Sequence, residues 1–60
     1  SLPPPPVAVG DTVKVLAGTL IGLTGKITAV DPTTKVATVA VSVLGLTQSV
    51  VLPWTSLQKL

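Results

Sequence analysis

Two carboxylates and four amines are the only ionisable side chains in this sixty-residue sequence: Asp11 and Asp31, and Lys14, Lys26, Lys35 and Lys59. General acid–base catalysis needs a histidine, a carboxylate pair or a tuned lysine, and nucleophilic catalysis needs a base beside a hydroxyl or thiol. With neither histidine nor cysteine present, the Ser and Thr hydroxyls have no activator and no zinc-type ligand set can be assembled. Each aspartate stands in a turn-forming context, Gly10-Asp11 and Asp31-Pro32, where a short carboxylate bonds the local backbone. No glycine-rich phosphate loop of the Walker type occurs. These residues predict a protein that is not an enzyme and takes no cofactor or metal.

What remains is recognition. The four lysines are spread along the chain and give a net charge of +2, a weak footprint for nucleic acid because few counterions would be released. Trp54 is the sole aromatic; it could stack on a base or a partner, but a plug at an open end of the fold is the better use of it.

The scaffold that must position these groups is small. Sixty residues without cysteine allow one domain whose core comes from side-chain burial alone. At 47% apolar and 10% charged the chain is far too hydrophobic for intrinsic disorder. Val and Thr dominate while Glu, Arg and Met are absent, and β-branched side chains favour a pleated surface, so the class is all-β. Only twelve residue types are used, which raises the alternative of a simplified or designed scaffold with no retained partner. Residues 36–58 carry no charge and are long enough for a membrane helix, but Gln48, Pro53 and strict alternation oppose that reading. No signal peptide or membrane association is expected, and the domain should be a monomer.

Ser1 to Pro6, with its run of prolines, predicts an extended polyproline linker; the folded unit starts near Val7 to Gly10, and the division is set at residues 1–9 as linker and 10–60 as domain. Thr12 to Leu16 alternates, sending Val13 and Val15 to one face. Gly18, Gly22 and Gly25 mark an irregular loop. In the second strand, Lys26 to Val30, the spacing of Ile27 and Val30 breaks alternation and predicts a bulge near Thr28 and Ala29. Asp31-Pro32-Thr33-Thr34 is a turn, and Val36 to Leu44 forms a strand with Val39, Val41 and Val43 facing the core. Gly45 turns the chain into Thr47 to Leu52, where Val51 points away from Val50 and Leu52. Pro53 ends that strand, Trp54 to Ser56 make a helical or 3₁₀ turn, and Leu57 to Leu60 form a closing strand. Five short strands of this kind predict a closed or nearly closed antiparallel barrel.

The stretch Gly10-Asp11-Thr12-Val13-Lys14-Val15, then Gly18, then Gly22-Leu23-Thr24-Gly25-Lys26-Ile27, resembles the KOW motif of NusG and of certain ribosomal proteins. Val39 to Gly45, Ser49 to Leu52 and Leu57-Gln58-Lys59 extend the resemblance to the NusG C-terminal domain over about residues 10–60. The resemblance implies a five-stranded SH3-like (KOW) barrel in a bacterial, cytoplasmic transcription elongation, termination or antitermination factor. Its implied partners are ribosomal protein NusE or termination factor Rho, with RNA polymerase held by a separate N-terminal domain. The family's apolar loop contacts correspond here to Leu20, Leu23, Val43, Leu44 and Leu46. Aromatics commonly stand in the family where Leu20, Leu23 and Leu44 stand, and an arginine often where Leu46 stands. Strand parity independently puts Leu44 on the solvated face, and Leu20 and Leu23 lie in the glycine-rich loop, so these leucines are interaction candidates. An RNA-binding KOW module of the ribosomal type, using Lys14 and Lys26, is the further alternative.

Overall fold

The computed structural model describes residues 4–60, so the polyproline assignment at residues 1–3 lies outside the described part. The chain forms β1 (Thr12–Val15), β2 (Thr24–Asp31), β3 (Val36–Val43), β4 (Leu46–Pro53), a 3₁₀ turn (Trp54–Ser56) and β5 (Leu57–Lys59). All strand pairs are antiparallel, in the spatial order β4-β3-β2-β1-β5. This is the all-β, five-stranded arrangement that the alternation predicts. The ring is not completed by hydrogen bonding: among the described residues β4 pairs with β3 and β5 with β1, leaving both as sheet edges. The 3₁₀ turn at Trp54 carries the chain from one edge to the other.

One face of the curled sheet is dry. Val13 and Val15 of β1, Ile27 of β2, Ala37, Val39 and Val41 of β3, and Leu57 of β5 are buried together. Alternate residues of β1, and of β3 as far as Val41, enter this cluster, as the period of a strand demands. In β2 the register shifts between Ile27 and Ala29, which pair with Val39 and Thr38, so Thr28 is the extra residue. Its hydroxyl donates to the Thr38 carbonyl at 3.3 Å. The shift resets the parity of the strand, returning Val30 to the core side opposite Ala37.

Two features depart from the expected layout. Val7, on the linker side of a division at residue 9, is 3% exposed and belongs to the core cluster. The turn that follows it is tied down: the Ala8 N–H donates to Asp11 Oδ2 at 2.9 Å, and the Gly10 N–H to the Ile27 carbonyl at 2.9 Å. Second, Val43, expected to face the core fully, is half-buried because it ends β3 at the margin of the sheet. The uncharged stretch 36–58 is resolved into β3, β4, the 3₁₀ turn and part of β5. No helix among the described residues is long and apolar enough to cross a membrane.

Gly25 explains how β2 packs so closely on β3. A Cβ at this position would meet the Ala40 carbonyl oxygen and lie 2.8 Å from Val39 Cγ1 and 2.9 Å from Val41 Cγ1. Only glycine fits this crossing without a shift of its neighbours.

Candidate functional site

The loop before β2 and the β3–β4 turn lie at one end of the sheet. Gly25 is in register with Val41, which carries the run of pairing toward Leu23 and Val43. The loop is folded back on β1: the Val15 N–H donates to the Leu23 carbonyl at 2.8 Å and the Gly22 N–H to the Val15 carbonyl at 2.8 Å. Gly18 and Gly22 hold φ of 93° and 89°, values that a side chain would strain. The loop is therefore anchored by main-chain bonds, leaving its side chains to divide between core and solvent.

That division separates the five candidate residues. Leu20 and Val43 are half-buried against the core cluster, and Leu23 is half-buried as well. Leu44 and Leu46 project: Leu44 is 97% exposed and Leu46 67%. Ile21, which the sequence reading passed over, is 64% exposed between Leu20 and Gly22. Nothing in the sequence sets it apart from Leu20, its neighbour between the same two glycines, which packs on the core. The result is an apolar end of the sheet with Leu20, Leu23 and Val43 as its base and Ile21, Leu44 and Leu46 standing out from it.

The backbone holds Leu44 in place. Leu44 and Gly45 form a two-residue turn with φ of 52° and 80°, the double positive-φ arrangement of a type I′ hairpin. Glycine takes this conformation freely, whereas a leucine does so at a cost of about 1–3 kcal/mol. A strained backbone therefore presents a fully exposed apolar side chain, the opposite of what stability alone would select.

Both aspartates bond the local backbone. Asp11 accepts from Ala8 and lies 3.6 Å from Lys59 Nζ, the one ion pair among the described residues; with Lys59 largely exposed it stabilises little. Asp31 Oδ1 accepts from the Thr33 N–H at 2.9 Å and the Thr34 N–H at 3.3 Å. The Thr33 N–H bond, followed by the Thr34 hydroxyl and N–H, holds the Asp31 carboxyl below its ordinary value of 3.8. Lys14 and Lys26 are exposed on neighbouring strands, in register with Thr24 and Thr12. They form too small a basic patch to neutralise several phosphates. Trp54 packs against the core cluster at the far end of the β3–β4 hairpin from Leu44, and its indole is hydrogen-bonded to the main chain.

The family model described as "Transcription elongation factor SPT5, second KOW domain" matches residues 9–60. The chain belongs to the NusG/Spt5 family of KOW domains. Among solved structures it is similar to a chain described as "Domain interaction in Thermotoga maritima NusG", with a TM-score of 0.84 and 31% identity. The match covers 90% of this chain but 30% of the Thermotoga chain, so this KOW domain spans less than a third of that relative. No curated protein matches the sequence. The family gives the sheet and its glycine loop a common origin with a transcription factor domain.

Proposed function

We propose that this KOW domain is the protein-docking module of a NusG-like elongation or antitermination factor, taking ribosomal protein NusE or termination factor Rho on the apolar end of its sheet. The observation that carries the reading is Leu44, held at a φ of 52° and 97% exposed. Burial of that side chain by a partner removes its apolar surface from water and offsets the backbone strain that presents it. Leu46 and Ile21 widen the contact, and the half-buried Leu20, Leu23 and Val43 form a firm base beneath them. In this reading the domain is non-catalytic and cytoplasmic, and RNA polymerase is engaged by another domain of the same factor. The curled sheet is read as the SH3-like barrel of KOW domains, with the seam between β4 and β5 spanned by the turn at Trp54.

The twelve-letter alphabet supports a second reading, that the domain is a simplified or designed scaffold with no retained partner. Leucines in place of aromatics and arginine lack the side chains that usually dominate interface energy, so in this reading binding to either partner is lost. Titrating the isotope-labelled chain separately with NusE and with Rho distinguishes the two. Docking predicts amide shifts at Leu20, Leu23, Val43, Leu44 and Leu46 with one of the partners. No shift with either partner at millimolar concentration would leave the simplified scaffold.

A further inference from the structure

The free edge of β4 is unguarded. This strand of eight residues, Leu46–Pro53, pairs with β3 on one side only, and no other backbone bond reaches it among the described residues. Natural edges are blunted by charge, a bulge, a central proline or brevity. β4 has no charged residue, its register with β3 is unbroken, and its proline is the last residue. The other edge, β5, has three residues, carries Lys59, and passes its next N–H, that of Leu60, to the Thr12 carbonyl.

Which backbone groups of β4 face outward follows from the hairpin. A two-residue turn closes on a hydrogen-bonded pair, here Val43 and Leu46. Bonded pairs then recur at every second position of an antiparallel ladder: Val41 with Gln48, Val39 with Val50, and Ala37 with Leu52. The next member is Lys35 with Trp54, and the Trp54 N–H does donate to the Lys35 carbonyl, at 3.0 Å. The odd-numbered residues Thr47, Ser49 and Val51 therefore direct N–H and C=O away from β3. Pro53 continues the series but has no N–H to offer.

We propose that two copies of this chain pair antiparallel through β4, with the two-fold axis at Ser49. Ser49 then faces Ser49 and Thr47 faces Val51, and all three outward-bonding residues of each copy find complete donors and acceptors on the other. A slip of one residue sets outward-bonding positions against inward-bonding ones. A slip of two either opposes Thr47 to the donorless Pro53 or runs Val51 into the Gly45 turn. The register is thus fixed by the strand itself. Parity is kept across the seam: Leu46 and Leu52 meet on the core side, and β-branched Thr47 and Val51 meet on the outer side. Although each copy carries a net charge of +2, no lysine lies between residues 36 and 58, so none sits on the paired strands to repel its counterpart. The contact is isologous and closes at two copies. One pair of edges is smaller than a standard stable interface, so the dimer forms at high concentration and dissociates on dilution.

Sedimentation velocity of the full sixty-residue chain from micromolar to millimolar concentration reads the association, and amide exchange over the same range reads the seam. A monomer–dimer transition is expected, with concentration-dependent protection of the Thr47, Ser49 and Val51 amides. Two altered chains are compared. Ser49→Lys opposes like charges at the axis and should raise the dissociation constant by about fivefold. N-methylation of the Ser49 amide in a synthetic chain deletes the central donor of both copies without changing a side chain, and should raise it by about tenfold or more. Unchanged Trp54 emission in dilute solution shows that each altered monomer is folded. A chain that stays monomeric to millimolar concentration overturns the proposal. So does a dimer that both changes leave intact, growth beyond two copies through a β4-to-β5 contact, or protection confined to residues outside β4.

Discussion

The indole Nε1–H of Trp54 donates to the Val36 carbonyl oxygen at 3.0 Å, and the neighbouring Trp54 N–H to the Lys35 carbonyl at 3.0 Å. The residue that follows β4 is thus tied twice to the start of β3, closing the open end of the hairpin, while its ring packs on the core. Trp54→Phe keeps most of the ring contact but leaves the Val36 carbonyl without its donor. A loss of about 1–2 kcal/mol is expected, read as a lower urea midpoint by circular dichroism. Because Trp54 is the only aromatic, emission of the parent chain reports the same clasp and should change together with the dichroism.

Gly25 supplies a sharper test of packing. Its missing Cβ would strike the Ala40 backbone and crowd Val39 and Val41, the centre of the core. Backbone cannot rotate out of the way, so Gly25→Ala should cost about 1–3 kcal/mol. The same exchange at a position where only the backbone angle matters, such as Gly22 with a φ of 89° and open space around it, should cost about 1 kcal/mol. Thermal unfolding of the two variants orders them; an equal loss would mean that β2 and β3 separate freely.

Asp31 gives the fold a pH dependence of known sign. The Thr33 N–H bond and then the Thr34 bonds favour the ionised carboxylate, so its folded value lies below the ordinary 3.8. Such a group contributes stability that is fully present above the unfolded value and is lost as pH falls through the folded one. Asp31→Asn keeps a side-chain oxygen for the turn but cannot titrate. The urea midpoint of the parent should fall more steeply than that of Asp31→Asn as the pH drops below about 4.

Much of this molecule was legible because strand parity is a strong signal in a Val-rich chain. Alternation puts Val39 and Val41 on the core side and Val13 with Val15 on one face, and all four are fully buried. Ile27 and Val30, three residues apart, gave away the bulge at Thr28. What escaped were features set by distant structure. Val7 follows four prolines and has no periodic context, and it is buried because the turn at Gly10 returns it to Ile27. Lys35 and Leu44 have positive φ without being glycine, since the spacing of β2, β3 and β4 imposes turn geometry that neither residue type announces. Leu20, Leu23 and Leu44 read alike as exposed loop or turn positions. The structure divides them, because the loop from Gly18 to Leu23 folds onto β1, packing Leu20 against the core and leaving Leu23 half-buried while Leu44 stays exposed.

Leu44 sets stability against recognition, and the two can be measured on the same variant. Its φ of 52° suits asparagine or glycine far better than leucine, while its side chain has almost no contact to lose at 97% exposure. Leu44→Asn, which makes the turn Asn-Gly, the favoured pair for a type I′ hairpin, should therefore stabilise the fold by about 1 kcal/mol. If Leu44 is the apolar anchor of docking, the same variant should weaken NusE or Rho binding by about tenfold. Neither effect alone is diagnostic, since a more stable hairpin can alter binding through order and a weakened partner contact can follow from unfolding. Their opposite signs are diagnostic, because no loss of structure raises the melting temperature. A Leu44→Asn chain that melts higher and binds its partner as tightly as the parent would show that the strain at Leu44 serves no docking contact.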